Sequence, residues 1–335
     1  MALKLFQSIF GGGESGGRYP ESLIEAAIER TVDGTDPRIR GLSGYRKQLR
    51  DPVIHAIDHV VALVDSLPAP LSTGRSDYSS DPRLGALFAS TDRMLEILGN
   101  DTVLSEFRNR TGDAGPITAL LLAERMEKTV LGIELNGEIL RRDVVQVAVS
   151  FRGHRLVDPA AGEDETRRLL KRRAFDHVLS LALARIVDVQ GERAELQQQR
   201  NVLKHKQDAL QSGGWGFDKM QKAKPESASL QTELDGIEAQ LATLQVDADV
   251  LRSHLKIITE LLGDAEQQFW AEDIVLYLDR MNIRRDVQDT SAEKIRFQEL
   301  HNARGRRLVM LFVSLTPDDL PPRENFFSAA KRYLR

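Results

Sequence analysis

Along residues 230–262, apolar side chains recur in steps of four and three: Leu230, Leu234, Ile237, Leu241, Leu244, Ala248, Leu251, Leu255, Ile258 and Leu262. An average period near 3.5 residues is what helices packing knobs into holes require. Upstream, Ala182, Ile186, Val189, Arg193, Leu196, Arg200, Leu203, Gln207 and Leu210 keep the same alternation, with every second position polar toward the far end. Between the two runs, "QSGGWGFDKMQKAKPES" supplies Gly213 and Gly214 as a helix stop and Pro225 as a helix start. The pattern predicts an antiparallel coiled-coil hairpin over residues 163–263 with a tip loop at 211–227, the alternative being two separate helices of a bundle. Limbs of about thirty residues reach roughly 50 Å at ~1.5 Å per residue. Gly236 inside the second limb costs about 1 kcal/mol relative to alanine. Polar residues in the first seam imply pairing of two hairpins or a partner helix that completes it.

Elsewhere the patterning is shorter in range. Residues 21–127 read as a helical domain behind an apolar N-terminal segment and glycine-rich linker at 1–20. "DPVIHAIDHVVALVDS" places Ile54, Ile57, Val61 and Val64 on one stripe, with Asp51 as N-cap and Pro52 at the first helical position. "DPRLGALFASTDRMLEILGN" has the same kind of start and stops at Gly99-Asn100, and "GPITALLLAERMEK" reads as a third helix. The period then changes. "KTVLGIELNGEIL" and "DVVQVAVSFRGHRLV" are strands around an Asn136-Gly137 turn. "KIRFQEL" alternates through Ile295, Phe297 and Leu300, "NARG" is a turn, "RRLVMLFVSL" is a strand buried on both faces, and "DIVLYLD" is strand or helix. The expected fold is mainly α, of α+β type. A small antiparallel sheet from 128–160 and 270–318 is split by the inserted hairpin, and a C-terminal helix covers 319–335.

Composition narrows the function classes. A net charge of −4 excludes a uniformly basic nucleic-acid binder. The chain has no cysteine, so disulfides, thiol nucleophiles and thiolate metal sites are excluded. No apolar run reaches the ~20 residues of a membrane span. The expected location is cytoplasmic, with peripheral contact to the inner face of a membrane open through the N-terminal segment.

Candidate chemistry is sparse. "GGGESGG" at residues 11–17 matches a G-x-G-x-x-G spacing, but it neither leaves a strand nor enters a βαβ unit, and no Gly-Lys-Ser/Thr follows. "LKLFQSIF" instead sets Leu3, Phe6 and Phe10 on one stripe, suited to packing on its own domain, docking in a groove or resting on a lipid surface. His55 and His59 stand one helical turn apart, a spacing that can share a metal, yet no third ligand is identifiable. Nine cations against five acids fall within 141–173, so Arg167, Arg168, Lys171, Arg172 and Arg173 are candidate phosphate contacts, or else the solvated face of a helix. At the hairpin tip, Trp215, Phe217 and Met220 interleave with Lys219, Lys222 and Lys224, a loop suited to gripping a partner or to plugging the seam. No catalytic triad, carboxylate pair or cofactor fingerprint stands out, and no cofactor is expected. The reading is a non-catalytic adaptor or assembly subunit with a protein partner, dimeric through its coiled coil. Nucleic-acid binding at the hairpin base and metal-dependent hydrolysis at His55 and His59 are the alternatives.

Overall fold

The computed structural model describes residues 19–112, 115–136, 139–211, 224–243 and 250–321. It is a mixed protein with an antiparallel sheet and one very long helix. Two compact units divide the chain: one takes residues up to Ile57 and Phe175–Ala265, the other Asp58–Ala174 and everything from Glu266. Among the described residues the three boundaries, after Ile57, Ala174 and Ala265, all fall inside helices.

In the first unit, α1 (Glu21–Gly34) buries Leu23, Ile24, Ala27, Ile28, Thr31 and Val32, a stripe at helical spacing. A 3₁₀ turn at Pro37–Gly41 follows, its first N–H groups capped by the Asp36 carboxylate. Helix α2 runs Tyr45–Asp65 and carries Pro52 in its interior. The expected start at Asp51 is therefore six residues late. Leu49 is fully buried, and the buried stripe is Leu49, Val53, Ala56, Ile57, Val60 and Val64. Burial of that extra turn outweighs the hydrogen bond lost at the proline.

Helices α6 (Glu163–Gln211), α7 (Lys224–Thr243) and α8 (Val250–Gly263) follow later in the chain. From Ala182 onward, the less exposed positions on α6 are Ala182, Ile186, Val189, Arg193, Leu196, Gln197, Arg200 and Leu203, together with Ala184 at the inner end. On α7 they are Leu230, Leu234, Ile237 and Leu241, and on α8 they include Leu251, Leu255, Ile258 and Leu262. Apart from Ala184 and Gln197, the positions named on α6 and α7 coincide with the seam spacing read from the sequence. Lys204 Nζ lies 2.9 Å from Glu238 Oε1, and Gln190 reaches His254 at 3.1 Å. As the chain advances along α6 it meets earlier residues of the later helices, so these contacts are antiparallel. Leu244, Ala248, the side chains of Gln207 and Leu210, and residues 212–223 of the tip loop expected at 211–227 lie outside what the structure describes; Gln211 and the stretch from Lys224 are helical.

The second unit is built on a six-stranded sheet, with strand order β3-β2-β6-β5-β4 and β1 beside β6. Strand β1 is Leu71–Ser72, β2 Ile117–Asn136, β3 Ile139–Ala160, β4 Phe269–Leu278, β5 Glu293–Asn302 and β6 Arg307–Leu315. All main pairings are antiparallel; only β1 runs parallel to its neighbour. The expected helix at "GPITALLLAERMEK" is the first half of β2, so the helical stretch ends at Thr111, not 127. Seven consecutive residues from Ile117 to Ala123 are buried, because β2 lies between β3 and β6 with both faces covered. A run buried on both faces has no period, and Leu and Ala bias the reading toward helix.

One sheet face, carrying Ala119, Leu121, Val309, Leu311 and Phe297, packs with α3 (Pro82–Leu87), α4 (Thr91–Gly99) and α5 (Thr102–Thr111). The other, carrying Leu120, Leu122, Met310 and Phe312, packs with Val64 and Leu67 after α2 and with Leu170 on α6. Asp81 caps α3 as expected, and the helix stop at Gly99-Asn100 holds, but the expected single helix is two. Phe88 leaves helical geometry and Ser90 starts α4 by accepting from Arg93 N–H. Of the expected strand residues, Ile295 and Phe297 face one side and Leu300 the other; the next inward position after Phe297 is Glu299.

Strand β3 contains three register shifts against β2, each with a positive-φ residue close by: Asp158, Gly153 and Asp143. The extra residue at each shift lies in β3, so β3 bends while β2 stays in phase. The shift at Gly153 moves the inward phase from Val149 and Phe151 to His154 and Leu156. A 3₁₀ turn spans Pro317–Asp319. The C-terminal helix expected at 319–335 falls almost wholly outside the described residues.

Candidate interaction surface

Helix α6 has two different sides. Its inner seam is closed at the end nearest α1, where Ala182, Ile186 and Ile258 are almost fully buried. There Arg30 and Asp176 form a two-pronged ion pair between α1 and α6. Farther along α6 the seam opens. Glu195, Gln198, Gln199, Val202 and Leu203 of α6 line a groove with Glu233 and Ile237 of α7. Val187 and Val202 are 56% and 60% exposed, and Leu183 is exposed as well. Arg200 occupies a seam position, and its Nε is buried without a hydrogen bond among the described residues. The groove therefore has an apolar floor of Val202, Leu203 and Ile237 and a rim of amides and carboxylates.

At the closed end lies a buried polar chain that spacing did not reveal. Gln190 Nε2–H donates to His254 Nε2 at 3.1 Å, and His254 Nδ1–H donates to Asp36 Oδ2 at 2.7 Å. Asp36 also accepts from the Arg38 guanidinium at 2.8 and 2.9 Å. Arg38, with help from His254, holds the Asp36 carboxyl well below the usual carboxylate range despite burial. Both ring nitrogens of His254 are engaged, so the chain ties α8 to α6 and to the turn after α1. It is not arranged to take a proton from a substrate. Spacing singled out neither Asp36 nor His254, which stands beside the seam.

A second polar cluster closes the end of the sheet's inner face. Arg125 Nε donates to Glu299 Oε1 at 3.0 Å, and Glu299 is 3% exposed. His301 stacks on Trp270 with ring centroids 5.4 Å apart and turns Nε2 to within 3.3 Å of Glu299. Inward alternation along β5 through Ile295, Phe297, Glu299 and His301 is the sequence signal for it.

The expected phosphate contacts are largely spent inside the protein. Arg167 donates to the carbonyls of Val64 at 2.7 Å and Leu67 at 2.9 Å, and its guanidinium lies 4.9 Å from the Phe312 ring centroid. It thus caps the end of α2 and fastens α6 to the sheet. Lys171 is buried and reaches Asp65 at 2.8 Å. Arg173 forms a two-pronged pair with Asp158 at 2.6 and 2.8 Å, and Arg168 bonds the Asp164 carbonyl. Arg172 is half-buried. These residues are not gathered into one open patch.

Of the two histidines, His55 is exposed and His59 half-buried. His59 Nε2–H donates to the Phe269 carbonyl at 2.6 Å, which removes that nitrogen as a ligand. Among the described residues, no group of three His, Asp or Glu side chains is placed to hold a metal ion. No described helix is long and apolar enough to cross a membrane. Leu3, Phe6, Phe10, Trp215, Phe217, Lys219, Met220 and Lys222 lie outside the described residues; Lys224 opens α7. Comparison with protein-family models, with curated proteins and with solved structures finds no match.

Proposed function

We propose that this protein is a non-catalytic assembly subunit or adaptor, and that α6 with α7 and α8 forms a coiled-coil hairpin whose outer part binds a helix of a partner protein. The observation that carries this reading is the open groove around Val202 on an otherwise regular seam. Beside the groove, Arg200 Nε is buried without a hydrogen bond among the described residues, while its Nη2 reaches Asn201 Oδ1 at 3.5 Å, and Val202 is exposed; this leaves one donor and one apolar surface for a partner. A partner helix with apolar residues at three- and four-residue steps and a carboxylate opposite Arg200 matches both. The aromatic and basic residues Trp215, Phe217, Met220, Lys219, Lys222 and Lys224 are further candidate partner contacts on the strength of the sequence pattern alone. Leu3, Phe6 and Phe10 offer a secondary contact, to a partner or a membrane surface.

The test compares proteins retained by the full chain with those retained by Val202→Glu and by Trp215→Ala/Phe217→Ala. Val202 is exposed, so the first change is expected to move stability by no more than about 0.5 kcal/mol. Loss of the same retained protein from both variants supports the reading. Retention unchanged in both variants contradicts it.

A further inference from the structure

We infer that the outer edge of β2 pairs antiparallel with the same edge of a second copy of this chain, over residues 126–136, about a twofold axis through Leu131. Strand β6 covers β2 only from Ile117 to Ala123. Beyond that point, among the described residues, β2 is paired on one side alone, with β3 out to Asn136 and Ile139. The result is a two-stranded ribbon, an arrangement that is marginally stable in water by itself. The other edge of the ribbon is covered near its base: Val149 N–H donates to Asn282 O at 2.9 Å and Arg284 N–H to Val147 O at 2.8 Å.

Of the usual protections against strand pairing, this edge has charges at Glu127, Lys128 and Glu134 but no proline and no bulge of its own, the extra residues of the ribbon falling in β3. The Ile133 carbonyl accepts from Gln146 Nε2 at 3.3 Å and keeps its second lone pair for a neighbouring strand. The apolar side chains of the ribbon are also exposed. Leu131 and its cross-strand neighbour Val145 are 69% and 68% exposed, and Ile133 is 59% exposed. This stripe continues outward from buried Val149 and Phe151 on the same face of the ribbon, an apolar surface running past the end of its own core.

The occupant follows from self-complementarity. A twofold through Leu131 sets Leu131 beside its own copy and Thr129 beside Ile133. It sets Lys128 at the register position opposite Glu134, and by symmetry this pairing occurs twice. Moving the axis to Thr129 brings Glu124 against Glu134, and moving it to Val130 leaves Lys128 opposite Gly132. Of these three registers, the one through Leu131 pairs Lys128 with Glu134 and keeps Leu131 and Ile133 beside uncharged positions, with Glu127 opposite Leu135 as its one mismatch of charge with an apolar residue. The product is a four-stranded sheet, β3-β2-β2-β3, that removes both free edges of β2.

The absence of native cysteine makes the test direct. In the full chain, Leu131→Cys places two thiols across the axis, within the ~4.5–5.5 Å Cα spacing of facing strand residues and within disulfide reach. Thr129→Cys places them four residues apart, about 13 Å at ~3.3 Å per residue. On mild oxidation, Leu131→Cys is expected to run mostly as a covalent dimer on a non-reducing gel and Thr129→Cys as a monomer. Lys128→Glu and Glu134→Lys are each expected to weaken the dimer at least tenfold in sedimentation, and the double exchange to restore it. Val202→Glu is expected to leave it intact, which separates this interface from the helical groove. Three results would each overturn the inference: a natively folded Leu131→Cys that stays monomeric or links to a different protein, equal cross-linking by Thr129→Cys, or a double exchange no better than the single ones.

Discussion

The sheet core and the α6–α8 seam both exclude water, but they do so in different ways. Around β2 and β6, apolar residues fill consecutive positions and both faces are covered. Along α6, apolar and polar residues share the seam, and cover thins with distance from α1. Among the described residues each side keeps one buried nitrogen without a hydrogen bond, His301 Nε2 at the end of the sheet core and Arg200 Nε on α6, and the α6 side also borders an open groove. A closed core serves stability, whereas an unfinished one leaves binding energy for a second molecule.

The largest expected effect lies on the closed side. Phe312 is 1% exposed and joins β6 to Leu120, Leu170 and the Arg167 guanidinium. Phe312→Ala is expected to cost about 3–5 kcal/mol in urea unfolding. A cost below about 1 kcal/mol would show that the two sides differ less than claimed.

A smaller effect belongs to the inner end of the seam. Asp36→Asn weakens the ties to Arg38 and His254 and is expected to cost about 1.5–3 kcal/mol. The carboxyl is held below its ordinary range in the fold, so the unfolded chain takes up its proton first as pH falls. Its contribution is present above the unfolded value of ~3.9, begins to be lost there and goes on falling as pH drops toward the lower folded value. Thermal unfolding followed from pH 7 to pH 3 should show that loss in the wild type and a shallower slope in Asp36→Asn.

The smallest effect sharpens the contrast. If Arg200 serves a partner and not the fold, Arg200→Leu should leave stability unchanged or raise it by up to about 1 kcal/mol. A clear loss would make the outer seam an ordinary part of the core.

The same contrast explains what spacing could reveal. The seam repeats over many turns, so Leu230 through Leu262 announced their helices without help from tertiary structure. The strand at Ile117–Ala123 has no alternation because both of its faces are buried, and "ITALLLA" reads equally as helix. Pro52 pointed to a helix start that burial of Leu49 overrides. The basic run at 167–173 looked like a patch because sequence does not show the carbonyls of Val64 and Leu67 or the carboxylates of Asp65 and Asp158 that engage it. Asp36, Gln190 and His254 are far apart in the chain, and only folding brings them together. The groove at Val202 was half legible, as a seam turning polar toward its tip.

The central claim is that the outer seam is kept open for a partner. The most direct measurement is quantitative affinity purification of the full chain and of Val202→Glu from the native cells, at matched bait and with the mass of the bait dimer recorded. The account expects Val202→Glu to lose at least one protein by tenfold or more while its own folding and dimerisation are unchanged. Identical protein profiles for the two baits would contradict it.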